Sequence, residues 1–373
     1  MALFKAKKVN RSEISQRLVN YGIAETIQQT FINFLEQAPD ADLHRLNPRL
    51  MASRLNIEER QALDLLALGM REGFFTLNWE VQCPACSFQG TYFNSLGRSH
   101  RQIKCAACNS EFEAHFDDHV QVTFTIHPNL RTLSKTLTNP DDVMANFVKK
   151  KERDSAFKPV SAHELLTVQA FRDFFKGESL PEGESFEVRR VAMLFTDLAG
   201  STALYTRKGD PNAYDLVREH FALLRRVIDN SQGAIVKTIG DAVMAAFTSE
   251  SHALQAAIEA QREILNFNQS RNLPASDHLM LKIGLHAGPS LYVSLNERLD
   301  YFGSTVNTAA RTESQARPGE VVFTDAILTA PGVREILAQY SLEDSEVQLK
   351  GLDGKTRLWR LDLTAAAVST SSH

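Results

Sequence analysis

The chain has 373 residues, of which 43% are hydrophobic and 23% charged, and a formal net charge of −4. That length allows two or three domains with buried cores, and the composition is ordinary for a globular protein. A mildly acidic balance supplies no field for nucleic acid or an anionic membrane, and no apolar run approaches the ~18 residues of a membrane-spanning helix.

The opening MALFKAKKVNRSEISQRL is basic at Lys5, Lys7 and Lys8. It lacks an apolar stretch and a small-residue cleavage site, so it reads as a solvated terminus and not as a secretory signal. Residues 12–38 carry Ile14, Leu18, Tyr21, Ile27, Phe31, Phe34 and Leu35 at helical spacing, ended by Pro39. The helical patterns PRLMASRLN and IEERQALDLLALGMREG follow, and then the strand-like FFTLNWEVQC. That order resembles a winged-helix module. Glu58, Glu59, Asp64 and Glu72 outnumber Arg60 and Arg71, which makes a poor surface for phosphates. Residues 1–75 are therefore expected to be a helical scaffold or contact region.

The four cysteines form two CxxC pairs, Cys83/Cys86 and Cys105/Cys108, with 18 residues between them. Two such knuckles can close a tetrahedron of thiolates, so the spacing predicts one structural Zn²⁺ in a zinc ribbon; a redox dithiol is the alternative. Cysteines used this way point to a reducing, cytoplasmic setting. Phe88, Tyr92, Phe93, Phe112 and Phe116 would fill the small core. His115 and His119 read as surface residues. Arg98, His100, Arg101 and Lys104 are offset by Glu111, Glu113, Asp117 and Asp118, which argues against nucleic acid as a partner. Residues 76–130 are expected to hold the ribbon and adjoining strands, in a regulatory module for an unknown ligand or protein. Residues 129–160 are polar and leave open a loop or an ordered segment. SAHELLTVQAFRDFFKG, at 161–177, reads as a helix, so 131–187 is expected to link to the next domain.

Strand and helix patterns mix from Val188 onward. VRRVAMLFTDL, AIVKTIG, DAVMAAF, LMLKIGLHAGP and VVFTD read as strands, and VQLKGLDGKTRLWRL as a terminal hairpin. STALYTRKG, the stretch after Pro211, ESHALQAAIEAQREILNFNQS, the stretch 303–316 and VREILAQYS read as helices. The predicted class is α+β, with helices packed over a sheet through 188–363 and a disordered tail at 364–373.

Several polar residues in this half carry chemistry. Asp197 ends a strand, and Asp241 follows Gly240 in a tight turn, so the two carboxylates can share Mg²⁺ or Mn²⁺. Taken singly they read as a helix cap and a hairpin turn. Leu198, Gly200, Ser201 and Thr202 lead into a helix whose first amides can hold phosphate oxygens. Asn307 and Arg311 lie one helical turn apart.

Across residues 186–362 these segments, FTDLAGST, VKTIGDAVMAAF, LDYFGSTVNTAAR and VQLKGLDGKTRLW, resemble the class III adenylate and guanylate cyclase catalytic domain. The resemblance implies a palm-like, ferredoxin-type sheet. It implies that Asp197 and Asp241 bind two Mg²⁺ or Mn²⁺, and that Lys237 and Asp300 read the purine. Lys and Asp there mark adenine, since Lys donates to ring N1 and Asp accepts from the exocyclic amine; guanine-selective members carry different residues, typically Glu and Cys. It further implies that Asn307 and Arg311 orient the ribose and stabilise charge on the α-phosphate, and that Lys350 holds the triphosphate. Such sites form between two catalytic domains, and this chain carries every part, which implies a homodimer. The expected reaction is ATP to 3′,5′-cyclic AMP and pyrophosphate in intracellular signalling. A catalytically silent nucleotide sensor, a guanylate cyclase and a zinc-ribbon nucleic-acid-binding protein are the other readings. One departure is Pro289-Ser290, where some members place an Arg, which removes one possible phosphate contact. Ser304 varies from an Asn or Arg without expected consequence.

Overall fold

The structure, a computed structural model, describes residues 10–89, 91–138 and 142–363. Lys5, Lys7, Lys8 and the tail expected at 364–373 lie outside the described residues. Two compact units divide the chain: 1–186 with 293–299, and 187–292 with 300–373.

In the first unit, the helical spacing over 12–38 falls into two helices, α1 (Arg11–Val19) and α2 (Glu25–Gln37). Gly22 takes a left-handed φ of 67° between them, a conformation that glycine adopts without the cost of a Cβ. Ile14, Leu18, Phe31, Ile32 and Leu35 are buried on their inner faces. α3 (Asp40–Leu43), α4 (Pro48–Leu55) and α5 (Glu59–Arg71) follow. The Asn47 side chain caps α4 by accepting from the Arg49 N–H, and Glu58 and Gln61 form a capping box on α5.

Strands β1 (Phe75–Val81), β2 (Thr91–Phe93), β3 (Gln102–Lys104), β4 (Glu111–Glu113), β5 (Val120–Ile126) and β6 (Val160–Ser161) complete the unit's sheets. They pair as a sheet ordered β2-β1-β5-β6 and a separate hairpin of β3 with β4. β1 and β5 are antiparallel over seven pairs from Phe75↔Ile126 to Val81↔Val120. Fully buried Trp79 stacks against Phe116 and meets Phe171 edge-on. The stretch 129–160 contains α6 (Lys135–Thr138) and α7 (Val143–Arg153). The helix expected at 161–177 is two short ones, α8 (Ala162–Leu166) and α9 (Gln169–Phe174). A Ser161/Glu164 capping box starts the first, and extended Val168 separates them.

The second unit is an α+β layer structure. Its elements are β7 (Phe186–Leu198), α10 (Ser201–Lys208), α11 (Asp210–Asn230), β8 (Ala234–Ile239), β9 (Ala242–Phe247), α12 (Glu250–Ser270), β10 (Leu281–Leu295), β11 (Arg298–Phe302), α13 (Ser304–Glu313), β12 (Glu320–Thr324), α14 (Asp325–Leu328), α15 (Val333–Leu337), β13 (Glu343–Val347) and β14 (Thr356–Asp362). The sheet runs β13-β14-β12-β10-β7-β9-β8, with β11 paired on β10. β10 and β12 are parallel, whereas β7/β9, β8/β9, β12/β14 and β13/β14 are antiparallel.

Ala192, Leu194, Val243, Ala245, Phe247, Ile283, Leu285, Val321 and Phe323 form the sheet side of one core with Leu224, Val227 and Ile228 of α11 and Leu254 and Ile258 of α12. Burial of each large aliphatic or aromatic chain there contributes about 1.5–3 kcal/mol. The buried polar residue Gln261 is satisfied: its amide donates to the Leu281 and Glu320 carbonyls at 3.0 Å each, tying α12 to β10 and β12.

Candidate active site

Asp197 and Asp241 are brought to one end of the sheet by strand pairing. β7 and β9 are in register at Thr196↔Val243, so Asp197 is the next residue out, beside the β8–β9 turn. That turn is the two residues Gly240-Asp241, because Ile239 pairs with Ala242. Gly240 has a φ of 64°, the left-handed conformation that two-residue hairpin loops favour. The Oδ2 atom of Asp241 is buried with no hydrogen-bond partner. A carboxylate oxygen buried without a donor is costly, and beside a second carboxylate it fits a hard, oxygen-seeking cation such as Mg²⁺ or Mn²⁺.

Two residues not foreseen from the sequence complete this end. Lys282, on β10, bonds the Asp197 carboxylate through its Nζ and lies 3.1 Å from Glu313 Oε1, at the end of α13. Burial opposes the charge on Lys282, but the bonds to Asp197 and Glu313 outweigh it and hold its pKa above the usual lysine value. Glu313 titrates above the usual range, through burial and the nearby Asp197 and Asp241 charges, with Lys282 working the other way. The signals available were a lysine inside the apolar strand LMLKIGLHAG and a glutamate two residues past Arg311.

Lys237 and Asp300 are directly ion-paired. They arrive from different strands, β8 and β11, with Lys237 next to a bulge that breaks the β8–β9 register. The Asp300 side chain is buried, and its Oδ1 accepts the Tyr301 N–H at 2.8 Å; Lys237 is 40% exposed. Asp300 is thus fixed, and Lys237 is the accessible partner. Behind them the buried Tyr292 and Tyr301 hydroxyls bond each other.

Asn307 and Arg311 project from α13, with Asn307 exposed and Arg311 half-buried. Gly284 sets the position of this helix. A Cβ there would meet the Glu313 backbone nitrogen at 2.0 Å, so β10 and the end of α13 touch backbone to backbone. Lys350 is exposed in the loop between β13 and β14. A Cβ on the adjoining Gly351 would stand 3.7 Å from Arg311 Nη2, so this loop and Arg311 share one neighbourhood.

At the start of α10, Gly200 is left-handed (φ 72°) and exposed, Ser201 is half-buried and Thr202 exposed. Leu198 is 3% exposed and packs into the core, so its side chain serves the fold. The Ala199 N–H is already used by the Met280 carbonyl at 2.9 Å. Pro289-Ser290, where some cyclase-domain members place an Arg, has structural bonds: the Pro289 carbonyl accepts from Thr305 Oγ1 at 2.5 Å, and Ser290 Oγ donates to the Phe302 carbonyl at 3.1 Å.

In the first unit the four cysteines converge, free of disulfides, with their Sγ atoms all within 4.8 Å of one another. The two CxxC segments fold alike. The Cys83 N–H bonds the Phe88 carbonyl and the Cys105 N–H the Ser110 carbonyl; Ser87 and Asn109 are left-handed at φ 59° and 58°. Cys83 and Cys105 are buried, Cys86 and Cys108 exposed. A bond with Ser110 leads the effects that draw the Cys83 thiol down to about 6. Four soft donors in paired tight turns suit a tetrahedral, thiophilic metal. His119 Nδ1 accepts the His115 N–H, and Phe112 packs edge-on to the His119 ring.

Residues 184–362 match the adenylate and guanylate cyclase catalytic domain family. Residues 12–152 match a family of unknown function (DUF5939). A receptor-type adenylate cyclase of Trypanosoma brucei brucei, GRESAG 4.3, is 31% identical over 195 residues, which cover 43% of this chain and 15% of that protein. An adenylate cyclase of Anabaena cylindrica is 28% identical over 222 residues, covering 53% of this chain and 44% of that protein. The matched stretches thus span less than half the length of these two curated relatives. Among solved structures, a Trypanosoma brucei adenylate cyclase in its monomeric state is 28% identical and covers 50% of this chain and 93% of its own, with a TM-score of 0.40. No helix among the described residues is long and apolar enough to cross a membrane.

Proposed function

We propose that this chain, whose residues 184–362 match the adenylate and guanylate cyclase catalytic domain family, converts ATP into 3′,5′-cyclic AMP and pyrophosphate, as a homodimer with two Mg²⁺ or Mn²⁺ per site. The Lys237–Asp300 ion pair carries the adenine reading. A buried carboxylate and an accessible ammonium offer one acceptor and one donor, which match the adenine amine and ring N1. A guanine edge would leave both unpaired, and unpaired polar groups are what make such sites selective.

In the reaction the ribose 3′-oxygen bonds the α-phosphorus while the bond to pyrophosphate breaks, and the hydroxyl proton is lost. Asp197 and Asp241 hold the divalent cations, which when bound supply Lewis-acid charge for the phosphates. Asn307 orients the ribose. Arg311 meets the charge growing on the α-phosphate with its planar fork, and Lys350, in the loop next to it, takes the triphosphate. Gly200, Ser201 and Thr202 offer backbone donors at the start of α10. The homodimer follows from composite sites: one copy would bring Asp197 and Asp241, and the other Lys237, Asp300, Asn307 and Arg311.

The four cysteines hold one structural Zn²⁺, and the unit that contains them regulates the cyclase in response to a ligand or protein partner. Reduced cysteines support a cytoplasmic setting for cyclic-nucleotide signalling. The test is to incubate the full chain with ATP or GTP, and Mg²⁺ or Mn²⁺, and measure both cyclic nucleotides. Cyclic AMP should form, and Asp241→Ala should lower its rate at least about a thousandfold, the several kcal/mol that metal charge contributes. Cyclic GMP as the main product would overturn the adenine reading. No product under any condition would favour a silent nucleotide sensor.

A further inference from the structure

Among the described residues, Lys282 is the lysine placed on a proposed metal carboxylate. Its strand, β10, is otherwise apolar toward the core at Leu281, Ile283 and Leu285. The ammonium bonds Asp197 and lies 3.1 Å from Glu313. Its side chain is 23% exposed, against 30% for Asp197 and 13% for Glu313, so all three are partly withdrawn from water. Glu313 in turn cannot drift, because its backbone is pressed on Gly284. The result is a cation on a short tether, seated on the carboxylate that a divalent ion needs, with a second carboxylate ready to keep it. The Oδ2 atom of Asp241 is buried with no hydrogen-bond partner.

We infer that Lys282 is a resident counter-ion of the cation site: it neutralises Asp197 in the metal-free protein, then yields Asp197 to a divalent cation by shifting onto Glu313. This rests on the reading of Asp197 as a metal ligand. Lys282 is a positioning residue that sets how tightly the site takes its cation. Without it Asp197, next to the turn that carries Asp241, would lose its cation, and with it every cation that binds there must first break an ion pair. Partly screened ion pairs are worth up to about 1 kcal/mol, which sets the size of the effect.

The experiment titrates the full chain with Mn²⁺ in the absence of nucleotide and reads free Mn²⁺ by electron paramagnetic resonance. Lys282→Gln should bind Mn²⁺ about fivefold more tightly than the natural chain. Lys282→Arg, which keeps the charge, should bind as the natural chain does. Lys208→Gln removes the same charge from a lysine that pairs with Asp277 2.9 Å away, and should change nothing. Unchanged or weaker Mn²⁺ binding in Lys282→Gln, with Lys282→Arg folded and binding, would overturn the inference. So would equal tightening in Lys208→Gln, since that effect would be one of net charge alone. Asp197→Asn separates this from the reading beneath it: Mn²⁺ binding that survives Asp197→Asn at full strength would show that Asp197 is not a ligand, whatever Lys282 does.

Discussion

Lys237 and Asp300 show how surroundings differentiate two ordinary residues, and the base-reading role proposed for them rests on that difference. Sixty-three positions separate them in the chain, yet they share one ion pair. Asp300 is fixed by burial and by the Tyr301 N–H, whereas Lys237 reaches solvent. Under the proposed base-reading role, a purine bound there would replace the lysine–carboxylate contact with one hydrogen bond to each partner. Replacing both residues with the guanine-type pair, Lys237→Glu with Asp300→Cys, is expected to reverse base preference. The ATP rate should fall by roughly four orders of magnitude, the range in which a polar site rejects a mismatched partner. Side-by-side assays with ATP and GTP would check this; retained ATP preference in the folded double variant would sink the base-reading assignment. Asp197 belongs to this scale too, since its ion-pair partner, Lys282, lies 85 positions away in the chain and carries no local signal of the pairing.

Elements place these residues, and α13 is the most demanding of them. It carries Asn307, Arg311 and Glu313, and it is held against β10 where Gly284 leaves no room for a side chain. Gly284→Ala is expected to push the helix off the strand, at a cost of about 1–3 kcal/mol for overpacking. A lower denaturation midpoint together with a reduced turnover rate would bear this out; an unchanged midpoint would mean that the helix accommodates the methyl group freely. The cysteine knuckles are a second such element. Their left-handed Ser87 and Asn109 let each Cys N–H and carbonyl close a turn on its own loop. One zinc per chain is expected by elemental analysis, lost in Cys86→Ser with Cys108→Ser. A metal-free natural chain with its four thiols still folded together would turn the reading to a redox pair.

The whole molecule sets the number of active sites. If each site takes Asp197 and Asp241 from one copy and Lys237, Asp300 and Arg311 from another, Asp241→Ala and Arg311→Ala are each inactive alone but complement when mixed. Random pairing makes half the dimers mixed, each with one intact site of two, so about a quarter of the natural activity should return. Equal amounts of the two variants, co-refolded or co-expressed, supply the measurement. No recovery in a mixture shown to be dimeric by light scattering would mean that each chain builds its own complete site. The first unit, with its family of unknown function and its cysteine cluster, stands ahead of this machinery in sequence, and its proposed role is to govern it.

Local chemistry was legible along the chain. Alternating strands, the Gly240-Asp241 turn, the paired CxxC spacing and the Asn307/Arg311 repeat are short-range patterns. They depend on backbone geometry a few residues long, which is why the α+β class was legible; Lys237, Asp300 and Lys350 were singled out only through the resemblance to the cyclase domain. The break at Gly22 is also local, but one glycine inside a helical apolar pattern gives a weak signal when the flanking helices share a buried face. What only the tertiary structure decided is which side chains meet. Lys282 on Asp197, Lys237 on Asp300, Gly284 against Glu313 and Pro289 holding Thr305 all join segments far apart in sequence. Strand order and register bring such partners together, and these follow from the way the whole core packs rather than from any window of sequence.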